Sequence, residues 1–183
     1  LFEATTYAAP CELSRSAVVN YLQVMEATKT VHILKPFSSR QATEIVSAPK
    51  VYPFDTGFVV HFRGWRELRP EDKGILWEHL VLGELQARFD NRFIHYWRDK
   101  QDHEIDFVLT RRGKPPLTIE CKWTINSFDP ANLRIFRKRY PTGENWVVAS
   151  NVAQPYFRSD HGVRFECLGL EEMAKRLDKM ITL

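Results

Sequence analysis

The sequence predicts a mixed α/β chain: an N-terminal winged helix-turn-helix region over residues 1–62, then an α-β-β-β-α-β core with a mixed central sheet over residues 63–183. Three observations carry this. In the second half, helical periodicity alternates with short β-type runs. A charged segment poor in core residues, Arg63 to Lys73, separates the halves. Two apolar runs, Glu104 to Leu109 and Leu117 to Lys122, flank Arg112-Gly-Lys-Pro-Pro116, which reads as the turn of a hairpin.

In the first half, Ser14 is placed to cap a helix in which Val18, Tyr21, Leu22 and Met25 follow helical spacing and form the expected buried face, ending near Glu26. A shorter helix precedes it. Extended pieces follow at Thr30 to Leu34, Glu44 to Val46 and Lys50 to Asp55, completing a helix-turn-helix with a β-wing. In the second half, Glu71 to Phe89 has few breakers and a stripe at Ile75, Glu78, Leu82, Leu85 and Phe89, the pattern of a long amphipathic helix. Strands are expected near Phe93 to Trp97 and in the two runs of the hairpin. Asp129-Pro130 reads as an N-cap and first-turn proline for a helix through Leu133, Phe136 and Tyr140. Trp146 to Ser150 and Val163 to Leu168 are further strands, and Leu170 to Met180 closes the chain as a helix.

With 44% apolar residues and 13% aromatics, a chain of 183 residues can bury a core, which excludes a disordered chain. No run approaches the eighteen apolar residues of a membrane span, and no secretory leader is recognisable. Cys11, Cys121 and Cys167 are odd in number and far apart, which points away from disulfides and zinc and toward a reducing cytoplasm. A net charge of +3 permits an acidic partner. The chain begins at Leu1 within a helical pattern, so a fragment of a longer protein is expected.

Alternation puts Ile105, Phe107 and Leu109 on one strand face and Asp106 on the other, while Glu120 and Lys122 share a face of the next strand. Two carboxylates and an ammonium at this spacing suit a divalent cation held beside a phosphodiester, with a cationic group near the attacking water. Glu78 interrupts an apolar helix face, a poor place for a glutamate without a task. The competing reading is a solvated face with surface charges, or a structural ion pair between Lys122 and one carboxylate. His79, His95 and His103 are expected to be solvated or hydrogen-bonded, and at least one of Tyr96 and Trp97 to lie in the core.

The set Glu78, Asp106 and Glu120-x-Lys122 resembles the PD-(D/E)xK nuclease superfamily, whose core is restriction endonuclease-like. Nearer still, Pro49-Lys-Val-Tyr-Pro-Phe-Asp-Thr-Gly57, Gly74-Ile-Leu-Trp-Glu-His-Leu80, Tyr96-Trp-Arg-Asp-Lys100, Glu104-Ile-Asp-Phe-Val-Leu109 and Ile119-Glu-Cys-Lys122 resemble the C-terminal domain of unknown function 4143, which follows an AAA+ type ATPase module. The resemblance implies metal-dependent phosphodiester hydrolysis. Asp106, Glu120 and the Cys121 carbonyl would hold Mg²⁺ or Mn²⁺, Glu78 would hold it directly or through water, Lys122 would orient the attacking water, and the Cys121 sulfur would turn into the core. Ile105 stands where the superfamily motif nominally has proline. No P-loop motif occurs here, so ATP would belong to a module outside this chain.

Arg111, Arg112 and Lys114 in the hairpin turn, and Arg134, Arg137, Lys138 and Arg139 on the following helix, are read as clustering near the site, where they could meet phosphates. Charged turns and solvated helix faces are the alternative. Arg15, Ser16, Asn20 and Gln23 could face a DNA groove, although a helix with one basic residue, Arg15, equally suits a packing role. The resulting expectation is a metal-dependent nuclease module acting on DNA as part of an ATPase. The alternative is a catalytically silent module of the same fold, serving as a DNA-binding or regulatory platform for the ATPase.

Overall fold

The computed structural model describes residues 1–37 and 48–181. The elements in chain order are α1 (Ala4–Ala8), α2 (Arg15–Ala27), β1 (Val31–Pro36), β2 (Lys50–Pro53), α3 (Thr56–Phe62), α4 (Pro70–Gln86), β3 (Ile94–Arg98), β4 (Glu104–Arg111) and β5 (Lys114–Lys122). They continue as α5 (Ala131–Arg139), β6 (Asn145–Ala149), β7 (Tyr156–Asp160), β8 (Val163–Leu168) and α6 (Leu170–Ile181). Local chemistry sets several boundaries. Ser14 Oγ accepts from the Ala17 N–H at 3.1 Å to start α2. The α4 start combines Pro70 with a 2.9 Å bond from the Arg69 N–H to Asp72, and its acidic first turn suits the positive end of the helix dipole.

The described strands form one mixed sheet in the order β2-β1-β3-β4-β5-β6-β8-β7. Pairing is antiparallel in β1/β2, β3/β4, β4/β5 and β7/β8, and parallel in β1/β3, β5/β6 and β6/β8. Both faces are covered. Trp77, Val81, Leu82 and Leu85 of α4 and Met173 and Leu177 of α6 pack on one face, and Leu133 and Phe136 of α5 on the other. This two-sided burial explains why β4 and β5 are apolar on both faces apart from the polar residues at the site. Tyr96 and Trp97 are both inside, one in each layer. Among the described residues no helix is long and apolar enough to cross a membrane.

Several expectations need correction. In α2, Val18 is buried but Tyr21 and Met25 are 59% and 39% exposed, because the helix meets α1 and β1 and not a broad sheet face. Ile75 is also exposed; the buried face of α4 is rotated toward Trp77 and Val81. Asp129 Oδ1 accepts from the Ala131 N–H at 2.9 Å, but Pro130 and not Asp129 is the N-cap, so α5 starts one residue later than expected. The expected strand at Glu44 to Val46 lies outside the described residues. Two elements lacked a periodic signal: α3 is only two turns long, and β7 is an edge strand exposed along most of its length. Finally, β1 pairs with β3 at Lys35↔His95 and Pro36↔Tyr96, so strands from both halves of the chain share one sheet.

Candidate functional site

The site begins where β4 and β5 part. Their register runs from Arg111↔Lys114 at the turn to Phe107↔Ile119. Beyond it, the Cys121 N–H donates to Asp106 Oδ2 at 2.7 Å. A side-chain carboxylate thus takes a backbone donor that faces β4. The strict alternation expected along β4 also breaks here: Phe107 and Leu109 lie in the α4-side layer, whereas Ile105 joins Val108 in the α5-side layer. Asp106 stands at that break. Such irregularities re-aim side chains near functional sites.

Along β5 alternation holds. Leu117, Ile119 and Cys121 belong to the α4-side layer, which leaves Thr118, Glu120 and Lys122 on the other side. Lys122 Nζ lies 3.1 Å from Glu120 Oε2 and 3.7 Å from Asp106 Oδ2. Glu120 is 5% exposed, and its Oε1 is buried without a hydrogen-bond partner. Burial, reinforced by the Asp106 charge, pushes the Glu120 carboxyl well above the usual range. The Cys121 thiol turns into the core as expected, and burial raises it, with Asp106 and Glu78 adding to the effect.

Glu78 approaches from α4. Burial and then Asp106 raise its carboxyl, so Asp106 lies within electrostatic reach of both glutamates. Glu78 is held by residues that sequence reasoning did not place in the site: Tyr52 Oη donates to Glu78 Oε1 at 2.5 Å and Lys50 Nζ to the same oxygen at 3.1 Å. Lys50 also pairs with Glu104 Oε1 at 2.5 Å. Although burial opposes its charge, Glu78, Tyr52, Asp106 and Glu104 hold the Lys50 ammonium protonated well above its ordinary range. The stretch from Pro49 to Gly57 was visible as a motif, but nothing local in it tells that Lys50 and Tyr52 reach α4.

Hard carboxylate oxygens from Asp106, Glu120 and Glu78, with the Cys121 carbonyl, are the donors that could hold Mg²⁺ or Mn²⁺. Among the described residues no three His, Cys, Asp or Glu side chains are gathered into a metal-ready group. Lys50 and Lys122 instead stand against these carboxylates. His103 is hydrogen-bonded to Asp99 at 2.8 Å, within the expectation of solvated or hydrogen-bonded histidines, whereas His79 is buried and not solvated, and burial holds both His79 and His95 below their ordinary value.

The basic residues are not gathered at the site. Arg111, Arg112 and Lys114 sit at the hairpin turn, five residues along β4 from Asp106, or about 17 Å at the rise of a strand. There they line a cavity of about 410 Å³ with Phe89, Phe93, Thr110 and Met180. Arg134 is paired with Asp160. Arg137 is buried, with Nε bonded to Asn145 Oδ1 at 2.6 Å and its other nitrogens bonded to the carbonyls of Tyr140, Thr142, Pro116 and Glu144. It serves as an internal strut and has no face for a phosphate. Lys138 and Arg15 are exposed.

Comparison with known proteins places the chain in a family. Two uncharacterized proteins, from Mycobacterium bovis and Mycobacterium tuberculosis, are each 27% identical to the chain over 119 residues. The match covers 63% of this chain and 27% of each relative, so the chain spans about a quarter of the length of these curated relatives. A domain of unknown function (DUF8612) matches residues 1–69, and another (DUF4143) matches residues 73–168, the segment that carries Glu78, Asp106, Glu120 and Lys122. This second match spans more than half of the chain, which therefore belongs to the DUF4143 family.

Proposed function

We propose that this chain is a metal-dependent nuclease module that hydrolyses phosphodiester bonds in DNA. The observation that carries the reading is the meeting of Asp106, Glu120 and Lys122 at the parting of β4 and β5, where Glu120 Oε1 is buried without a partner. A buried carboxylate oxygen with no donor is costly unless the carboxyl takes a proton, toward which burial and Asp106 push Glu120, or a cation completes it, and a divalent cation beside Asp106 would do the second. Asp106, Glu120, the Cys121 carbonyl and Glu78 would hold Mg²⁺ or Mn²⁺, which when bound supplies Lewis-acid polarisation of a phosphoryl oxygen. Lys122 orients the attacking water and offsets charge developing on the phosphate oxygens. The low-dielectric surroundings of Glu120 strengthen each of these interactions.

Several wider features belong to the same reading. The order α4-β3-β4-β5-α5-β6 supports a restriction endonuclease-like, PD-(D/E)xK core, and α1, α2 and the antiparallel β1/β2 pair support a winged helix before it. The greater length of the relatives leaves room for an AAA+ type ATPase module, to which any ATP binding would belong. Free Cys11, Cys121 and Cys167 suit a cytoplasmic location.

One observation favours a second reading. Lys50 and Lys122 already neutralise the carboxylates, as they would in a silent platform that keeps the fold for DNA binding or regulation of the ATPase. A cleavage panel of plasmid, single-stranded, branched and RNA substrates with Mg²⁺ or Mn²⁺ separates the two. The nuclease reading expects cleavage by the parent chain and loss on Glu120→Ala. No cleavage of any substrate leaves the platform reading standing, and equal cleavage by Glu120→Ala overturns the site assigned to the nuclease reading.

A further inference from the structure

We infer that Lys50 and Tyr52 are positioning residues that hold the Glu78 carboxylate in the site, making the site a composite of the segments matched by the two families; this rests on the nuclease reading above. Lys50 and Tyr52 lie on β2, within the segment matched at residues 1–69, whereas Glu78 and Asp106 lie within that matched at 73–168. Two residues apart on a strand, their side chains leave the same face. Both bonds that they donate fall on one oxygen, Glu78 Oε1, at 3.1 and 2.5 Å.

Each donor is itself fixed by something other than Glu78. The Tyr52 ring packs edge-on to His79 at 5.8 Å and lies 6.4 Å from the ring of Phe107, the residue after Asp106. Lys50 is anchored a second time on Glu104, whose other oxygen accepts from Arg98 at 2.9 Å, and its ammonium lies 5.7 Å from the Tyr96 ring centre. Tyr96 Oη in turn donates to the Ala48 carbonyl, just before β2. The donors are thus anchored from several directions, and the glutamate is the group whose oxygen they fix. A buried ion pair is a poor source of net stability, so stabilisation alone is a weak account of the arrangement. Holding a carboxylate at a set position beside Asp106 is what a metal- or water-holding glutamate requires.

The test is a double-mutant cycle on the whole chain. Mn²⁺ affinity is measured by calorimetry for the parent, Tyr52→Phe, Glu78→Gln and the double variant, with circular dichroism to verify the fold. Tyr52→Phe keeps the ring and removes only the donor, so Mn²⁺ binding should weaken about fivefold, the equivalent of one hydrogen bond. In the Glu78→Gln background the same change should have no further effect. Lys50→Met, read by cleavage, should lower kcat by about tenfold with KM for DNA unchanged. Unchanged Mn²⁺ affinity in Tyr52→Phe, or equal losses with and without the Glu78 carboxylate, overturns the inference while leaving the nuclease reading intact. A parent chain that binds no Mn²⁺ overturns both.

Discussion

The Cys121 N–H is bonded to Asp106 Oδ2 at 2.7 Å, so a side-chain carboxylate takes the place of a rung between the two central strands. The bond lies just beyond the last β4/β5 pair, Phe107↔Ile119, and holds a carboxylate at the opening.

Asp106→Asn should separate fold from function. The amide oxygen can still accept from Cys121, and the charge that raises both Glu78 and Glu120 is gone. Urea midpoints are expected to hold or rise. Cleavage should fall by at least about a hundredfold, as for other losses of a preorganised charge. A variant that unfolds more easily yet cleaves normally would make Asp106 a structural residue and not a catalytic one.

Arg137 should behave as a strut. Burial pulls its pKa down to about 10, and its removal as Arg137→Met strands acceptors from Pro116, Tyr140, Thr142, Glu144 and Asn145. A loss of roughly 3 kcal/mol is expected by urea denaturation. Lys138→Ala, one residue on and exposed, should stay within about 0.5 kcal/mol of the parent. Gly143→Ala should also destabilise strongly, because its φ is 123° and a Cβ there would meet the Pro116 oxygen at 2.1 Å.

Trp77→Phe tests how Glu78 is carried. The Trp77 Nε1–H donates to the Val148 carbonyl at 2.9 Å, tying α4 to β6 one residue before Glu78. Losing that bond should cost about 1–2 kcal/mol. If Glu78 works from a fixed helix position, cleavage should fall along with the urea midpoint.

Acid sensitivity should arise partly from His79. Burial lowers its pKa below the ordinary 6.5, so the folded state favours the neutral ring. Above about pH 6.5 both states are neutral and the fold has its full stability. As pH falls from there toward the lowered folded value, the unfolded chain takes up a proton that the fold resists, and stability declines. His79→Phe should flatten the urea midpoint between pH 7 and 5. An unchanged slope would place the acid sensitivity elsewhere.

Much of this was legible along the chain. Ser14 and Asp129 stand at helix starts marked by local hydrogen bonding, which is why those starts could be read without a structure, Asp129 to within one residue. The site residues Asp106, Glu120 and Lys122 were legible because strand periodicity sorts faces within one hairpin. The same periodicity misled at Ile105, where the break in β4 depends on what β3 and β5 do beside it. It misled again at Tyr21, where helical spacing was present but the side chain is exposed among the described residues.

By itself, the sequence determined the α4-β3-β4-β5-α5-β6 order, the hairpin and the carboxylates at its heart, because period, capping and turn chemistry act over a few residues. Only the tertiary structure decided that Lys50 and Tyr52 reach Glu78, that Arg137 is an internal strut, and that the hairpin-turn cations lie away from the site. Those facts depend on contacts between residues distant along the chain, such as the side chains of β2 that meet α4 and the packing of α5 on β4 and β8. The folding of two segments onto one sheet creates those distances, and local spacing carries no record of them.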